Sequence, residues 1–149
     1  MKSLPNDIFF AEVEHRLSEE GRVMLTVYGN SMRPFMRSGR TCVSLSVCDA
    51  ESLKCGDVVL FRYRGRHILH RITAVGNGEF ELAGDGNYRV SEHCRTSDIV
   101  AKVEAVTDRR GRVTYCNSRR WRMKSSLWLR LHPFVRRCIL SLLWRIGIK

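Results

Sequence analysis

The sequence predicts an α+β fold that is mainly β: a compact, coiled antiparallel sheet or barrel with a short N-terminal helix and a basic amphipathic C-terminal helix. Two observations favour this class. Apolar and polar residues alternate through the middle of the chain, which is the period of a half-buried strand. Towards both ends apolar residues recur every three to four positions, which is the period of an amphipathic helix. A chain of 149 residues is long enough to bury one core.

Seven short segments rich in β-branched and apolar residues are predicted to be strands, and Gly, Asn and Asp residues separate them. Hairpin turns are predicted at Gly76-Asn77-Gly78 and at residues 108–111. Short strands at this spacing, with helices confined to the ends, are typical of a mainly antiparallel α+β domain. The predicted strands are Val23–Val27, Cys42–Val47, Val58–Tyr63, His67–Val75, Glu79–Ala83, Ile99–Val106 and Arg112–Tyr115.

The chain divides into three predicted segments. Asn6 or Asp7 can cap a first helix and Gly21 can end it, which gives an N-terminal helical segment over residues 1–21. A β domain follows over residues 22–116. Residues 117–149 form a basic extension, in which residues 127–148 have the apolar spacing of an amphipathic helix.

Basic charge is concentrated at the C-terminal end. Residues 109–149 contain 12 of the 26 Lys and Arg residues and no acid, so an anionic partner is expected there. The predicted helix either docks on the β domain or contacts a membrane peripherally through residues 127–148. Nucleic acid is the least favoured partner, because the extension interleaves its basic residues with aliphatic side chains rather than with aromatic rings for stacking.

The six cysteines have neither Cys-x-x-Cys spacing nor a zinc-finger pattern, so we expect no metal and no cofactor. The N-terminal residues do not resemble a secretory leader, and no apolar run reaches the roughly 18 residues of a spanning helix. Unpaired thiols and the missing leader favour a cytoplasmic protein, with the inner membrane face as the place of any lipid contact.

One serine lies in an unusual turn, Tyr28-Gly29-Asn30-Ser31-Met32-Arg33-Pro34, directly after a predicted strand. Such a hydroxyl alone is more often a turn residue than a nucleophile. A nucleophilic serine needs a base within hydrogen-bond reach and donors for the oxyanion. The motifs further along the chain decide between the two interpretations.

Four motifs occur in one order along residues 22–106 and together resemble the signal peptidase I superfamily, which also includes the self-cleaving SOS-response repressors. The resemblance implies a coiled, mainly β fold and acyl transfer by a serine with a single-residue base. It covers most of the predicted β domain. The motifs are Ser31-Met32-Arg33-Pro34, Gly56-Asp57-Val58-Val59-Leu60-Phe61, His70-Arg71-Ile72 and Gly84-Asp85-Gly86-Asn87.

The resemblance implies a role for each matching residue. Ser31 matches the nucleophile, and His70 matches the base of the archaeal and endoplasmic-reticulum branch, where other members have lysine. Asp85 is the candidate third member that orients the imidazole, because the following stretch, residues 88–91, contains no acid. Asn30 and Met32 are candidates for oxyanion and substrate contacts. His67 is the competing base, but strand alternation places it on the opposite face from His70.

The sequence therefore predicts a small serine endopeptidase that cleaves a leader or precursor peptide with Ser31, His70 and Asp85. The first alternative is a catalytically inactive protein of the same fold that binds peptides during maturation. The second alternative is a nucleic-acid-binding domain that uses the basic extension.

Overall fold

The computed structural model describes residues 6–146, so residues 1–5 of the predicted N-terminal segment and residues 147–149 of the predicted extension lie outside it. The helices are α1 (Asn6–Glu20), α2 (Arg119–Arg130) and α3 (Pro133–Arg145), and single 3-10 turns occur at Ala50–Ser52 and Thr96–Asp98. The strands are β1 (Arg22–Thr26), β2 (Cys42–Ser46), β3 (Val58–Tyr63), β4 (Arg66–Gly76), β5 (Glu79–Gly84), β6 (Asn87–Arg95), β7 (Ile99–Thr107) and β8 (Val113–Tyr115).

All strands in residues 6–146 belong to one sheet in the order β1-β2-β7-β3-β4-β5-β6, and β8 pairs with the far end of β7. Every pairing is antiparallel. The α+β, mainly β prediction is confirmed. Of its two forms, the open sheet is the one observed, since β1 and β6 are the ends of the strand order and do not close a barrel.

The predicted turns form as expected. Asn77 and Gly78 both have positive φ, which matches a two-residue turn whose twist suits a hairpin. At the β7–β8 turn the N–H of Gly111 donates to the carbonyl of Asp108 at 3.0 Å. The first helix ends at Glu20, and the N–H of Gly21 (φ +73°) donates to the carbonyl of Leu17 at 2.9 Å.

One strand was missed from the sequence, namely β6. Its residues Asn87–Arg95 are mostly polar or charged, so they lack the apolar alternation used to predict strands. β6 lies at the end of the sheet, and only Glu92 and Cys94 are buried along its length. An end strand of this kind can carry polar side chains because one edge and much of its surface meet solvent.

The sheet buries a different apolar cluster on each face. On β3, Val58 and Leu60 face the first cluster, and Val59 and Phe61 face the second. Helix α1 covers the first face with Val13 and Leu17, which are each 3% exposed. The second cluster consists of Leu53, Val59, Phe61, Ile72, Phe80, Leu82 and Cys94.

Polar contacts hold α1 against the β3–β4 hairpin. The Glu14 carboxylate accepts hydrogen bonds from the Arg62 guanidinium at 2.6 and 2.9 Å and lies 2.6 Å from Nε2 of His67. The Arg62 hydrogen bond lowers the pKa of Glu14 to about 2, so its carboxylate stays charged at neutral pH. The His67 ring also stacks on Phe10, with 4.5 Å between centroids. His67 therefore fixes the position of a helix.

The C-terminal extension forms two helices rather than the single helix predicted from its spacing. The break falls at Leu131 and His132. Pro133 disfavours a helical backbone at the residue before it, and proline suits the first turn of a new helix. Helix α2 is anchored by Trp121 and Trp128, which are 7% and 5% exposed. Helix α3 has no fully buried side chain. No helix within residues 6–146 is long and apolar enough to cross a membrane.

Candidate active site

Ser31 lies in the loop that joins β1 to β2. Two core side chains fix this loop, since Met32 is 2% exposed and Met36 is fully buried. The N–H of Val27 donates to the carbonyl of Thr41 at 2.8 Å and closes the base of the loop. Met32 thus anchors the loop in the core instead of offering its side chain to a substrate. Between these anchors Ser31 remains partly exposed.

The β5–β6 turn lies directly against Ser31. The N–H of Gly86 donates to the Ser31 carbonyl at 2.8 Å. A Cβ atom on Gly84 would lie 2.5 Å from that carbonyl oxygen, and a Cβ atom on Gly86 would lie 2.8 Å from the carbonyl oxygen of Asn30. Only glycine leaves room for two backbones this close. The two glycines of the Gly-Asp-Gly-Asn motif therefore allow the serine loop to approach the sheet.

His70 reaches the same place from β4. Its side chain is 7% exposed. A Cβ atom on Gly84 would lie 3.0 Å from Nε2 of His70 and 3.1 Å from Cβ of Ser31. The distance between His70 Nε2 and Ser31 Cβ is therefore at most about 6 Å. Within residues 6–146 no hydrogen bond joins the two side chains. Catalytic hydrogen bonds are often loose without substrate, and rotation of the serine side chain can shorten this gap.

Glu92 on β6 holds the other nitrogen of the imidazole. Its Oε2 lies 2.9 Å from Nδ1 of His70, and both side chains are nearly excluded from solvent. A carboxylate there accepts a hydrogen bond from Nδ1–H, which leaves the Nε2 lone pair directed towards Ser31. Ser31, His70 and Glu92 thus lie in the order that a serine nucleophile, its histidine base and an acid that orients the base require.

Asp85, the acid expected from the sequence, has a different partner. Its Oδ1 and Oδ2 accept hydrogen bonds from Nε and Nη2 of Arg71, both at 2.8 Å. Arg71 is 0% exposed and also donates to the carbonyl of Gly56 and to the hydroxyl of Ser125. Burial raises the pKa of Asp85, and the guanidinium opposes that shift. The contact with His70 that was expected of Asp85 is made by Glu92.

This buried ion pair connects three parts of the chain. Arg71 is on β4, Asp85 is in the β5–β6 turn, and Ser125 is on α2. The indole of Trp128 also donates to the Asp85 carbonyl at 3.2 Å. The pair thus supports the turn whose glycines lie under Ser31, so Asp85 contributes to the geometry of the site from beneath it.

The remaining candidates occupy distinct positions. Asn30 is exposed, and its carbonyl accepts from the N–H of Arg33 at 3.3 Å. His67 pairs with Glu14 on the α1 side, whereas His70 pairs with Glu92, so the prediction that the two histidines face opposite ways is confirmed. Among the residues of the described range, no group of three or more His, Cys, Asp or Glu side chains could hold a metal ion.

Sequence reasoning missed Glu92 because it missed the strand that carries it. The stretch expected to hold a later acid, residues 88–91, stops one residue before Glu92. A signal was present, since Glu92 and Cys94 are two positions apart and therefore share the inward face of a strand. Comparison with protein-family models and with curated proteins finds no match to this sequence, so the geometry of the site carries the functional argument.

The close approach at Gly84 gives a direct prediction. Changing Gly84 to alanine should move the Ser31 backbone, because the new methyl group would lie 2.5 Å from a carbonyl oxygen that is held by the N–H of Gly86. A displacement of about 1 Å can lower a rate by on the order of a hundredfold. We expect that loss in labelling of Ser31 by a fluorophosphonate, measured beside Gly76→Ala, where a Cβ meets nothing within 4 Å. Equal labelling rates in the two variants would contradict the geometry.

Proposed function

We propose that the protein is a serine endopeptidase in which Ser31 is the nucleophile, His70 the general base and Glu92 the residue that orients the base. The observation that carries this proposal is the convergence of Ser31 and His70 on Gly84, with a buried carboxylate on the far side of the imidazole. These are the parts that an activated serine needs. The resemblance to the signal peptidase I superfamily supports the same reaction class and a fold of that type.

The residues suit a two-step acyl transfer. Oγ of Ser31 attacks the scissile carbonyl while Nε2 of His70 takes its proton, and Glu92 stabilises the imidazolium that forms. The imidazolium then gives the proton to the leaving amine, and an acyl-enzyme ester remains on Ser31. A water molecule hydrolyses that ester by the same proton path. The N–H of Ser31 is the candidate oxyanion donor, since within residues 6–146 it makes no hydrogen bond.

The proposed substrate is a leader or precursor peptide bound in extended form. Two end strands border the site: β1 leads into the Ser31 loop, and β6 carries Glu92. An end strand offers unpaired backbone groups to which an extended peptide can add. The superfamily resemblance implies small side chains next to the scissile bond.

A fluorophosphonate probe tests the proposal without knowledge of the substrate. The folded protein should be labelled, and Ser31→Ala should remove the label because it removes the hydroxyl that lies next to Nε2 of His70. His70→Ala should slow labelling by about a thousandfold or more, since the hydroxyl then lacks its base. Ser126→Ala, which removes an exposed hydroxyl on α2, is the matched control.

A folded protein that takes no label at all would favour the second candidate, an inactive protein that binds peptides during maturation. The observation behind this candidate is that no Ser31–His70 hydrogen bond is found in the described range. Label that persists in Ser31→Ala would contradict the role of Ser31 in either case.

We propose a cytoplasmic location with peripheral contact at the inner membrane face. All six cysteines are free thiols, which suits a reducing compartment. Helix α3 also exposes large apolar side chains between arginines, among them Phe134, Leu142 and Trp144 at 60–67% exposure. An apolar stripe beside basic residues suits an anionic lipid surface.

Sedimentation with vesicles rich in phosphatidylglycerol should detect this contact, and Leu142→Glu should weaken it by placing a charge in the apolar stripe. Met24→Glu changes a side chain of similar exposure, 64%, on β1 and should have no effect. Equal binding by the two variants would count against α3 as the contact surface.

A further inference from the structure

A concave surface lies beside the Ser31 loop, and the proposed reaction does not use it. We call it the basic groove. It encloses about 1350 Å³ between the loop after Ser31, the β7–β8 hairpin and helices α2 and α3. Apolar side chains form its floor, including Phe35, Val106, Trp121 and Trp128. Its basic residues are Arg37, Arg40, Arg109, Arg110, Arg112, Arg120 and Lys124.

The positive charge of the groove is almost uncompensated. Among the described residues that line it, Asp108 is the only acid, and its carboxylate accepts a hydrogen bond from Nε of Arg112 at 2.7 Å. No carboxylate within residues 6–146 pairs with the other six basic side chains. Six cations around one concavity repel one another, so an anionic occupant would lower the electrostatic free energy of this surface.

The shape and floor of the groove favour a polypeptide over other anions. A flat bilayer cannot reach the floor of a concave surface. Single-stranded nucleic acid needs exposed ring faces for stacking, but Trp121 and Trp128 are 7% and 5% exposed and pack against Phe35. An extended peptide that carries acidic residues between apolar ones can satisfy both the charged rim and the exposed apolar side chains of the lining, Val113 (51% exposed) and Leu127 (61% exposed).

The position of the groove connects it to the proposed peptidase. Pro34 and Phe35 line its near end, and they follow Ser31 by three and four residues in the same loop. We propose that the basic groove binds an acidic segment of the polypeptide that is cleaved at Ser31. This inference rests on the proposed function for its substrate, but the binding step does not require catalysis.

Binding is therefore measured on full-length Ser31→Ala protein, by fluorescence anisotropy of a labelled peptide of repeated Glu-Leu-Asp-Gly. The neutral peptide of repeated Gln-Leu-Asn-Gly is the matched ligand. We expect the acidic peptide to bind. Added salt should weaken the binding, because the ion pairs between the peptide and the basic side chains of the rim are solvent-exposed. The neutral peptide should bind at least about tenfold more weakly.

Helix α2 offers matched variants. Arg120 and Lys124 line the groove, whereas Arg119 and Arg122 are exposed on the same helix outside it. Arg120→Glu/Lys124→Glu should lower the affinity for the acidic peptide about tenfold or more. Arg119→Glu/Arg122→Glu, which has the same net charge, should leave that affinity within about twofold of the unchanged protein. If the first pair lowers the melting temperature, Arg109→Glu/Arg110→Glu on the hairpin replaces it.

Equal losses in the two α2 variants would overturn the proposal, because net charge rather than the groove would then govern binding. Failure of the acidic peptide to bind would also overturn it. Tighter binding of an oligothymidylate that loses affinity only in the groove variants would identify a nucleic-acid site instead. Fluorophosphonate labelling of the wild-type protein tests the proposed peptidase activity separately. The proposal for the groove and the proposal for the catalytic site can therefore be contradicted independently.

Discussion

Replacing Glu92 with glutamine is expected to lower kcat/KM by about 10²–10⁴-fold with little change in stability. The amide is uncharged and cannot stabilise the imidazolium that forms when His70 takes the serine proton. Its NH₂ group can also donate to Nδ1, which selects the tautomer whose Nε2 carries the proton and cannot act as a base. The loss should therefore appear mainly in kcat.

The rate of fluorophosphonate labelling gives the same information before a substrate is found. Glu81→Gln is the matched control, because Glu81 is a half-exposed glutamate on the neighbouring strand β5. A Glu92→Gln protein that reacts as fast as the wild type would show that Glu92 does not assist His70, and it would favour Asp85 for that role.

Replacing Asp85 with alanine is expected to lower the free energy of unfolding by about 3–5 kcal/mol. The change leaves the Arg71 guanidinium, which is 0% exposed, without its two hydrogen bonds to a carboxylate. An uncompensated buried charge of this kind is among the most destabilising single defects. Activity should fall as well, because the pair supports the turn beneath Ser31.

Urea denaturation measures this loss. Glu12→Ala is the control, because it breaks an ion pair with Arg16 in which both side chains are 57% exposed, and solvent screens such a pair so that it contributes little to stability. A loss in Asp85→Ala as small as that in Glu12→Ala would show that solvent reaches Arg71 and that the pair does not brace the site.

Together these two substitutions separate the role of Asp85, the acid expected from the sequence, from the role of Glu92, the acid found next to His70. Glu92→Gln should affect the chemistry with the fold intact, whereas Asp85→Ala should affect the fold first. The opposite pattern would restore Asp85 to the role that the resemblance implied.

Local sequence determined most of the secondary structure. Alternation in segments such as Val58–Tyr63 depends only on neighbouring residues, and so do the positive-φ turn at Asn77-Gly78 and the helix stop at Gly21. The same local signals placed Ser31 in an exposed turn and His70 on a strand. The β6 strand was not predicted, because its polar residues are exposed to solvent at the end of the sheet and show no apolar alternation.

Only the tertiary structure decided which acid meets His70. That choice depends on the register of β4, β5 and β6. The register places Glu92 on β6 so that its carboxylate reaches His70 on β4, on the other side of β5. It also depends on Arg71, whose buried guanidinium binds the Asp85 carboxylate. Both facts follow from pairings between residues distant along the chain, and their free energies depend on burial. A sequence motif contains neither the strand pairing nor the burial. Asp85, which follows the motif glycine, was therefore expected to bind His70, whereas Glu92, seven residues later, does so.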